Sequence, residues 1–272
     1  MVNNNRPFKI IVDCERDVAY DSPDHLFPRG AKNNNSRNMH FNKKLYKLYV
    51  EKYEAGQLKI LDLGCSGGGF VKDCIDGGCL AVGLEGSDYS KKYGRAEWRT
   101  IPQYLFTCDI SRNFDIYFKK NSRKERLLFD VVTAWEVMEH ISESDLARLA
   151  INVKKHLACE GIWVMSISPN EEVNLGVRLH QTVHGRQWWI NKFASLGFVH
   201  QEKYLKYFNT QFVDTHFFNH LGSGEADSFH LVLTLNESKA LKIPKLGLFQ
   251  YFLDRWVGSM PQRVLRKIVL GD

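Results

Sequence analysis

"ILDLGCSGGGF", residues 60–70, runs from a short apolar stretch of strand character through four glycines into the start of a helical pattern. A strand, a glycine loop and a helix in that order bring bare backbone close to a ligand. A dinucleotide site asks for G-x-G-x-x-G, and counting from Gly64 puts Ser66 where the second glycine belongs. A phosphate-cradling loop would end in Gly-Lys-Ser/Thr, whereas Gly68 and Gly69 are followed by Phe70 and Val71. Asp62, on the strand, would repel a pyrophosphate and offers a counter-charge to an ammonium group. The loop therefore suits a zwitterion with a cationic part.

From this junction outward, short β-rich runs alternate with amphipathic stretches, the pattern of βαβ units around a parallel sheet. Strands are predicted at 58–63, 79–85, 104–110, 127–135, 161–168, 198–205 and 229–235, and helices at about 69–77, 88–97, 144–158 and 185–196, the last stopped by Gly197. No crossover helix is evident between the sixth and seventh strands, so that pair is predicted to be antiparallel. Glu85 ends the second strand, where a carboxylate can accept both hydroxyls of a ribose, and Asp109 ends the third, placed to accept from an exocyclic amine. In an open α/β sheet, ligands bind outside the carboxyl ends of the strands, so these acids outline an extended nucleoside with a charged tail. S-adenosylmethionine fits that outline.

The ordered set "LDLGCSGGGF", "GLEGSD", "TCDI" and "FDVVTAWEVMEH" resembles the successive cofactor motifs of the class I S-adenosylmethionine-dependent methyltransferases, over roughly residues 57–235. The resemblance implies an α/β, Rossmann-like fold: a seven-stranded, mostly parallel sheet, the last strand antiparallel, with helices on both faces. It implies methyl transfer from S-adenosyl-L-methionine. It places Asp62, Gly64, Cys65, Ser66 and Gly68 around the methionine part, Glu85 with Gly86 and Ser87 at the ribose, Asp109 with Ile110 at the adenine, and Trp135 among the cofactor-binding residues. Ser66 stands where the family loop has glycine, a departure that could alter the loop's conformation.

"WEVMEH", residues 135–140, leaves the fourth strand at the same sheet edge. If the chain turns helical there, Glu136, Glu139 and His140 share a face. Three readings follow: a site for a divalent metal such as magnesium or manganese, an acid–base site in which His140 takes a proton while Glu139 orients the ring, or a helix start without chemistry. The E-x-x-E-H spacing is similar to that of ubiquinone-pathway O-methyltransferases and small-RNA 2'-O-methyltransferases. That similarity implies a metal set of Glu136, Glu139 and His140 completed by a later histidine, here His180 in preference to His184. Either chemical reading makes oxygen the methyl acceptor.

Composition bounds the rest. The 272 residues, 44% hydrophobic and 25% charged, describe one folded domain with decorated ends. The expected partition is an irregular N-terminal extension over 1–44 able to cover the site, a methyltransferase domain over 45–236, and a basic amphipathic tail over 237–272 with seven basic and three acidic residues. Such a tail can lie on a membrane surface or bind a partner, and more often packs on its own domain. No apolar run approaches the roughly 20 residues of a membrane span. The start lacks the apolar core of a secretory signal, so a cytoplasmic location is expected. Six scattered cysteines read as reduced and structural. Residues 25–30, His180, His184, 187–189 and the aromatics from Phe208 to Phe218 form the candidate acceptor wall. Aromatic faces with polar tips suit a small hydroxylated acceptor, a saccharide first. Nucleic acid is not favoured, because the excess of 37 basic over 31 acidic residues is dispersed.

Overall fold

The computed structural model describes residues 8–50, 58–208, 228–235 and 241–244. The chain opens with β1 (Lys9–Cys14), α1 (Pro23–Leu26), α2 (Arg29–Asn33) and α3 (Met39–Tyr49). There follow β2 (Lys59–Leu63), α4 (Gly69–Asp76), β3 (Leu80–Glu85), α5 (Tyr89–Lys92), β4 (Leu105–Thr107), β5 (Phe114–Lys120) and β6 (Arg123–Arg126). The second half contains β7 (Phe129–Trp135), α6 (Leu146–His156), β8 (Leu157–Ile167), the short pair β9 (Val173–Asn174) and β10 (Val177–Arg178), α7 (Arg186–Ser195), β11 (Val199–His200), α8 (Glu202–Phe208) and β12 (Phe229–Thr234).

Seven strands form one sheet in the order β11-β12-β8-β7-β2-β3-β4. β12 is antiparallel to both neighbours, while the β2–β3, β2–β7, β3–β4 and β7–β8 pairs are parallel. This is the expected Rossmann-like class. The central strands are apolar on both faces: Ile60, Leu61, Val82, Leu84, Val131, Val132, Val164 and Met165 are all fully buried, as a sheet covered on two sides requires. Chain order reverses beside β2, which lies between β3 and β7. The carboxyl ends of β2 and β7 therefore open a crevice at the switch point.

Three expectations are corrected. The N-terminal extension is not irregular over its described part: Lys9 to Cys14 make β1, Ser22 caps α1 by accepting from Asp24 N at 3.2 Å with Pro23 at the first helical position, and α3 buries Phe41, Leu45 and Leu48 on one face. Pro and Asn density masked these short elements. The predicted strand 198–205 is two residues of β11, after which Tyr204, Tyr207 and Phe208 turn inward from α8. Apolar spacing of three and four was the helix signal there. The predicted helix 88–97 breaks at Gly94, whose φ is +55°, into α5 and a 3₁₀ turn over Ala96–Arg99. Gly197, with φ +80°, ends α7 as anticipated, and Phe198 N donates back to Phe193 O at 3.0 Å. Between β4 and β7 the crossover carries a hairpin, β5–β6, which pairs with β1 in a separate three-stranded sheet. The insertion over 209–227 and nearly all of the tail lie outside the described residues. No described helix is long and apolar enough to cross a membrane.

His156, at the end of α6, locks this hairpin to the domain. It is fully buried, its Nε2 accepts the Ile116 amide at 3.0 Å, and its Nδ1 lies 2.8 Å from Asn152 O. The accepting Nε2 requires the neutral ring, and burial lowers its pKa. The unfolded chain thus takes up a proton near pH 6.5 that the folded chain resists, so stability falls as pH drops below about 6.5. Denaturant unfolding of His156→Leu is expected to show a smaller loss of stability between pH 7.5 and 5.5 than the parent. It is also expected to cost about 1–3 kcal/mol at pH 7.5, because the Ile116 amide loses its partner.

Candidate active site

The glycine loop is held by groups from four elements. Gly64 adopts φ +69°, and a Cβ there would lie 2.5 Å from Val137 Cγ2, so the loop after β2 and the turn after β7 touch at this point. Ser66 also lies in the left-handed region, at φ +47°, a conformation that disfavours a side chain by roughly 1–2 kcal/mol. The serine is explained by its partners. Its amide donates to Glu85 Oε2 at 2.7 Å, its carbonyl accepts from Trp98 Nε1 at 2.8 Å, and its hydroxyl reaches Gly30 O at 2.8 Å and Asn34 O at 2.9 Å. Glycine would relieve the strain but lose the hydroxyl's contacts with the N-terminal segment. Asn35 and Ser36 run so close over Gly67 and Gly69 that a Cβ at either would approach within 3.0 Å. Gly68, at φ +83°, lets the chain pass the Leu105 side chain, and Cys65 packs against Gly83. All six cysteines are free thiols, four of them buried.

The three predicted acids stand at or just past the carboxyl ends of the neighbouring strands β2, β3 and β4. Asp62 is 2% exposed, accepts from Thr133 Oγ1 at 2.6 Å, and is pushed by burial up to about 7. Glu85, at the tip of β3, accepts from Ser66 N and from Ser87 N at 3.0 Å; burial raises its pKa, with the two amides acting against that. Gly86 O receives the Ala19 amide at 2.9 Å, which pins the segment before α1 to this edge. Asp109 spends both oxygens within the protein. Oδ1 accepts from Ser111 N and Oγ, and Oδ2 accepts from Arg16 Nε at 2.7 Å. Ile110 is buried beside it. Trp135 packs edge-on against Phe41 and Phe70, with ring centroids 5.2 and 5.7 Å away.

The helical face imagined for "EVMEH" does not form. Glu136 sits at φ +52°, with its amide donating to Ser166 Oγ at 3.0 Å, and only Met138–His140 make a 3₁₀ turn. Glu136 instead accepts from Ser228 Oγ through Oε2 at 2.9 Å. Glu139, His140 and His180 do meet: one ligand atom of each lies within 4.8 Å of the others. Glu139 is fully buried, its Oε1 accepting from Ser168 N at 2.9 Å and its Oε2 left without a partner. Burial and nearby Glu136 push it up to about 8. The His180 ring stands edge-to-face on His140 at 4.7 Å, its Nδ1 2.6 Å from Asn170 O and its Nε2 3.3 Å from Glu172 Oε2. Burial disfavours a charge on His140, but Asp24, 2.8 Å from Nδ1, overrides it and raises the pKa to about 9. His184 is apart from this group and stacks on Trp188 at 3.9 Å, while Trp189 is fully buried core. Sequence spacing could not reveal Asp24, Arg16 or Trp98, because they reach the site from segments without a motif. Thr133, a hydroxyl between the apolar Val132 and Ala134 of a buried strand, was visible in principle.

The chain matches the methyltransferase-domain family over residues 23–212, more than half its length. No curated protein matches it in sequence. Among solved structures, a Burkholderia thailandensis 1,6-didemethyltoxoflavin-N1-methyltransferase with bound 1,6-didemethyltoxoflavin and S-adenosylhomocysteine is similar at 10% identity and a TM-score of 0.49, over 77% of this chain and 83% of that one. A Clostridium acetobutylicum S-adenosylmethionine-dependent methyltransferase is similar at 13% identity and a TM-score of 0.49, over 78% of this chain and 96% of that one. With the domain match spanning the glycine loop, the acids and the turn after β7, the chain belongs to the methyltransferase-domain family, the class I S-adenosylmethionine-dependent methyltransferases.

Proposed function

We propose that the protein moves the methyl group of S-adenosylmethionine to a hydroxyl oxygen of a small molecule, with a divalent cation held by Glu139, His140 and His180. The observation that carries this reading is the meeting of those three side chains, with one buried carboxylate oxygen unpartnered, at the switch-point crevice. A buried carboxylate oxygen without a donor is costly, and a cation relieves that cost. One carboxylate with two imidazoles shifts the preference from magnesium towards manganese, iron or zinc. Such an ion, when bound, supplies an electrophile that lowers the pKa of an acceptor hydroxyl. Glu136, bonded to Ser228, is left out of this set.

The chain's own residues handle the methyl donor. Asp62 opposes its carboxylate to the donor's ammonium group. Glu85 turns from the Ser66 and Ser87 amides towards the ribose hydroxyls, and Ile110 flanks the adenine while Asp109 stays bonded to Arg16 and Ser111. The His184–Trp188 stack supports an acceptor that is a hydroxylated ring, a saccharide first. A second reading, an RNA ribose hydroxyl as acceptor, draws on the exposed strand β6, where Arg123, Lys124 and Arg126 stand beside Lys119 and Lys120 of β5. Counter-ion release distinguishes the two: RNA binding would fall steeply with salt, and a neutral acceptor's would not.

Asp62→Asn is expected to weaken S-adenosylmethionine binding about ten- to a hundredfold, the loss of one hydrogen bond to a charged group. With Asp62 titrating at about 7, the parent's affinity rises as pH climbs through 7 and a proton is released on binding. Calorimetry in two buffers of different ionisation enthalpy checks both. Methyl transfer, followed as the mass gain of one methyl on a pool of hydroxylated compounds, is expected to stop with chelator, to return with manganese, and to fail in His180→Ala. Activity that ignores the chelator, with His180→Ala as fast as the parent, would sink the metal-assisted reading.

A further inference from the structure

We propose that Asp24 is the positioning residue for His140, delivered to the site by the N-terminal segment; the inference rests on the metal reading above. Asp24 Oδ2 lies 2.8 Å from His140 Nδ1. The pairing is electrostatic rather than an aligned hydrogen bond, since Nδ1 has no in-line acceptor. With Asp24 on Nδ1, the nitrogen left for a cation is Nε2. His180 has a partner on the same ring nitrogen, its Nδ1 lying 2.6 Å from Asn170 O, while its Nε2 is 3.3 Å from Glu172 Oε2, so a cation there would share Nε2 with that carboxylate. A carbonyl that accepts from the far nitrogen sets the tautomer of a metal-binding imidazole, as Asn170 O does for His180, and a carboxylate beside the far nitrogen, as Asp24 is for His140, holds the ring's orientation by its charge.

The placement of Asp24 is itself built. Ser22 Oγ accepts from Asp24 N, Pro23 restricts the backbone just before it, and Ser22 N donates to Ala19 O at 2.9 Å. Ala19 N in turn bonds to Gly86 O, on the loop after β3. Five residues beyond Asp24, at the start of α2, Arg29 pairs with Glu172 at 3.0 Å, and Glu172 lies 3.3 Å from His180 Nε2. The segment thus reaches both histidines, His140 directly and His180 through Glu172. It is also tied to the glycine loop by the Ser66 hydroxyl, through Gly30 O and Asn34 O. A residue exposed enough to dispense with a partner is instead fixed at both ends of its short helix and aimed at the site.

The test uses the full chain and cobalt(II) as the probe, read by visible absorption and calorimetry, with the parent, Asp24→Asn, Asp24→Ala, Asp24→Glu and His180→Ala. Asp24→Asn keeps the shape, so its fold is expected to survive, with an unchanged melting curve. Asp24→Asn and Asp24→Ala are expected to weaken cobalt binding about 10- to 100-fold and to alter the absorption bands. Asp24→Glu is expected to restore most of the affinity, and His180→Ala to abolish binding. Parent-like cobalt affinity and bands in Asp24→Asn and Asp24→Ala would overturn the positioning role while leaving the metal reading intact. If the parent itself takes up no cobalt, the metal reading falls. The ¹⁵N imidazole shifts of His140, assigned with His140→Gln, then decide: shifts that change in Asp24→Asn uphold the positioning, and identical shifts overturn it.

Discussion

The contact between Gly64 and Val137 is the constraint on which the site depends. Two loops from neighbouring parallel strands can share one crevice only if one of them lacks a side chain where they cross, and a single methyl at Gly64 would fall 2.5 Å from Val137. That closeness brings the glycine loop that follows Asp62 against the turn that carries Glu139, two residues beyond Val137. The reversal of strand order beside β2 separates the flanking crossovers, and the missing Cβ at Gly64 lets the two loops meet there.

Burial then gives the acids their chemistry. Asp62 and Glu139 are both taken out of water and both pushed towards neutral pKa values, the first with one hydroxyl donor and the second with one amide. Neither has a cationic side chain as its hydrogen-bonding partner in the structure. Asp109 differs: Arg16 and Ser111 satisfy it entirely. Asp62 and Glu139 are thus buried acids without a cationic hydrogen-bonding partner, and Asp109 is a buried acid paired with Arg16. The N-terminal segment contributes the remaining polar contacts, with Arg16, Asp24, Gly30, Asn34 and Arg29 meeting Asp109, His140, Ser66 and Glu172 along the whole edge.

Much of this was legible beforehand, for reasons that can be named. "ILDLGCSGGGF" and "FDVVTAW" are local patterns, and strand periodicity, glycine spacing and a terminal acid are properties of a few adjacent residues. His180 was picked over His184 because of the helix start that follows His184, and it is His180 that stands against His140. What misled was local as well: acidic and basic residues in "EVMEH" spaced for a helix, with no sign that Glu136 would take a positive φ after the strand. The same holds for "FVHQEKYL", where β-branched and aromatic residues suggested a longer strand than the two residues that pair with β12.

From the chain alone came the class of the fold, the order of the acids along the crevice and the character of the ligand they outline, because hydrophobic period and glycine spacing act over short distances. Tertiary structure decided which of the four proposed ligand residues converge, since Glu136 turns to Ser228 and only Glu139, His140 and His180 meet. It also decided that a serine belongs in the glycine loop and that Asp24 faces His140. Those contacts join segments far apart in sequence, and no spacing within either segment encodes the other's position; only the packing of the N-terminal segment across the sheet edge brings them together.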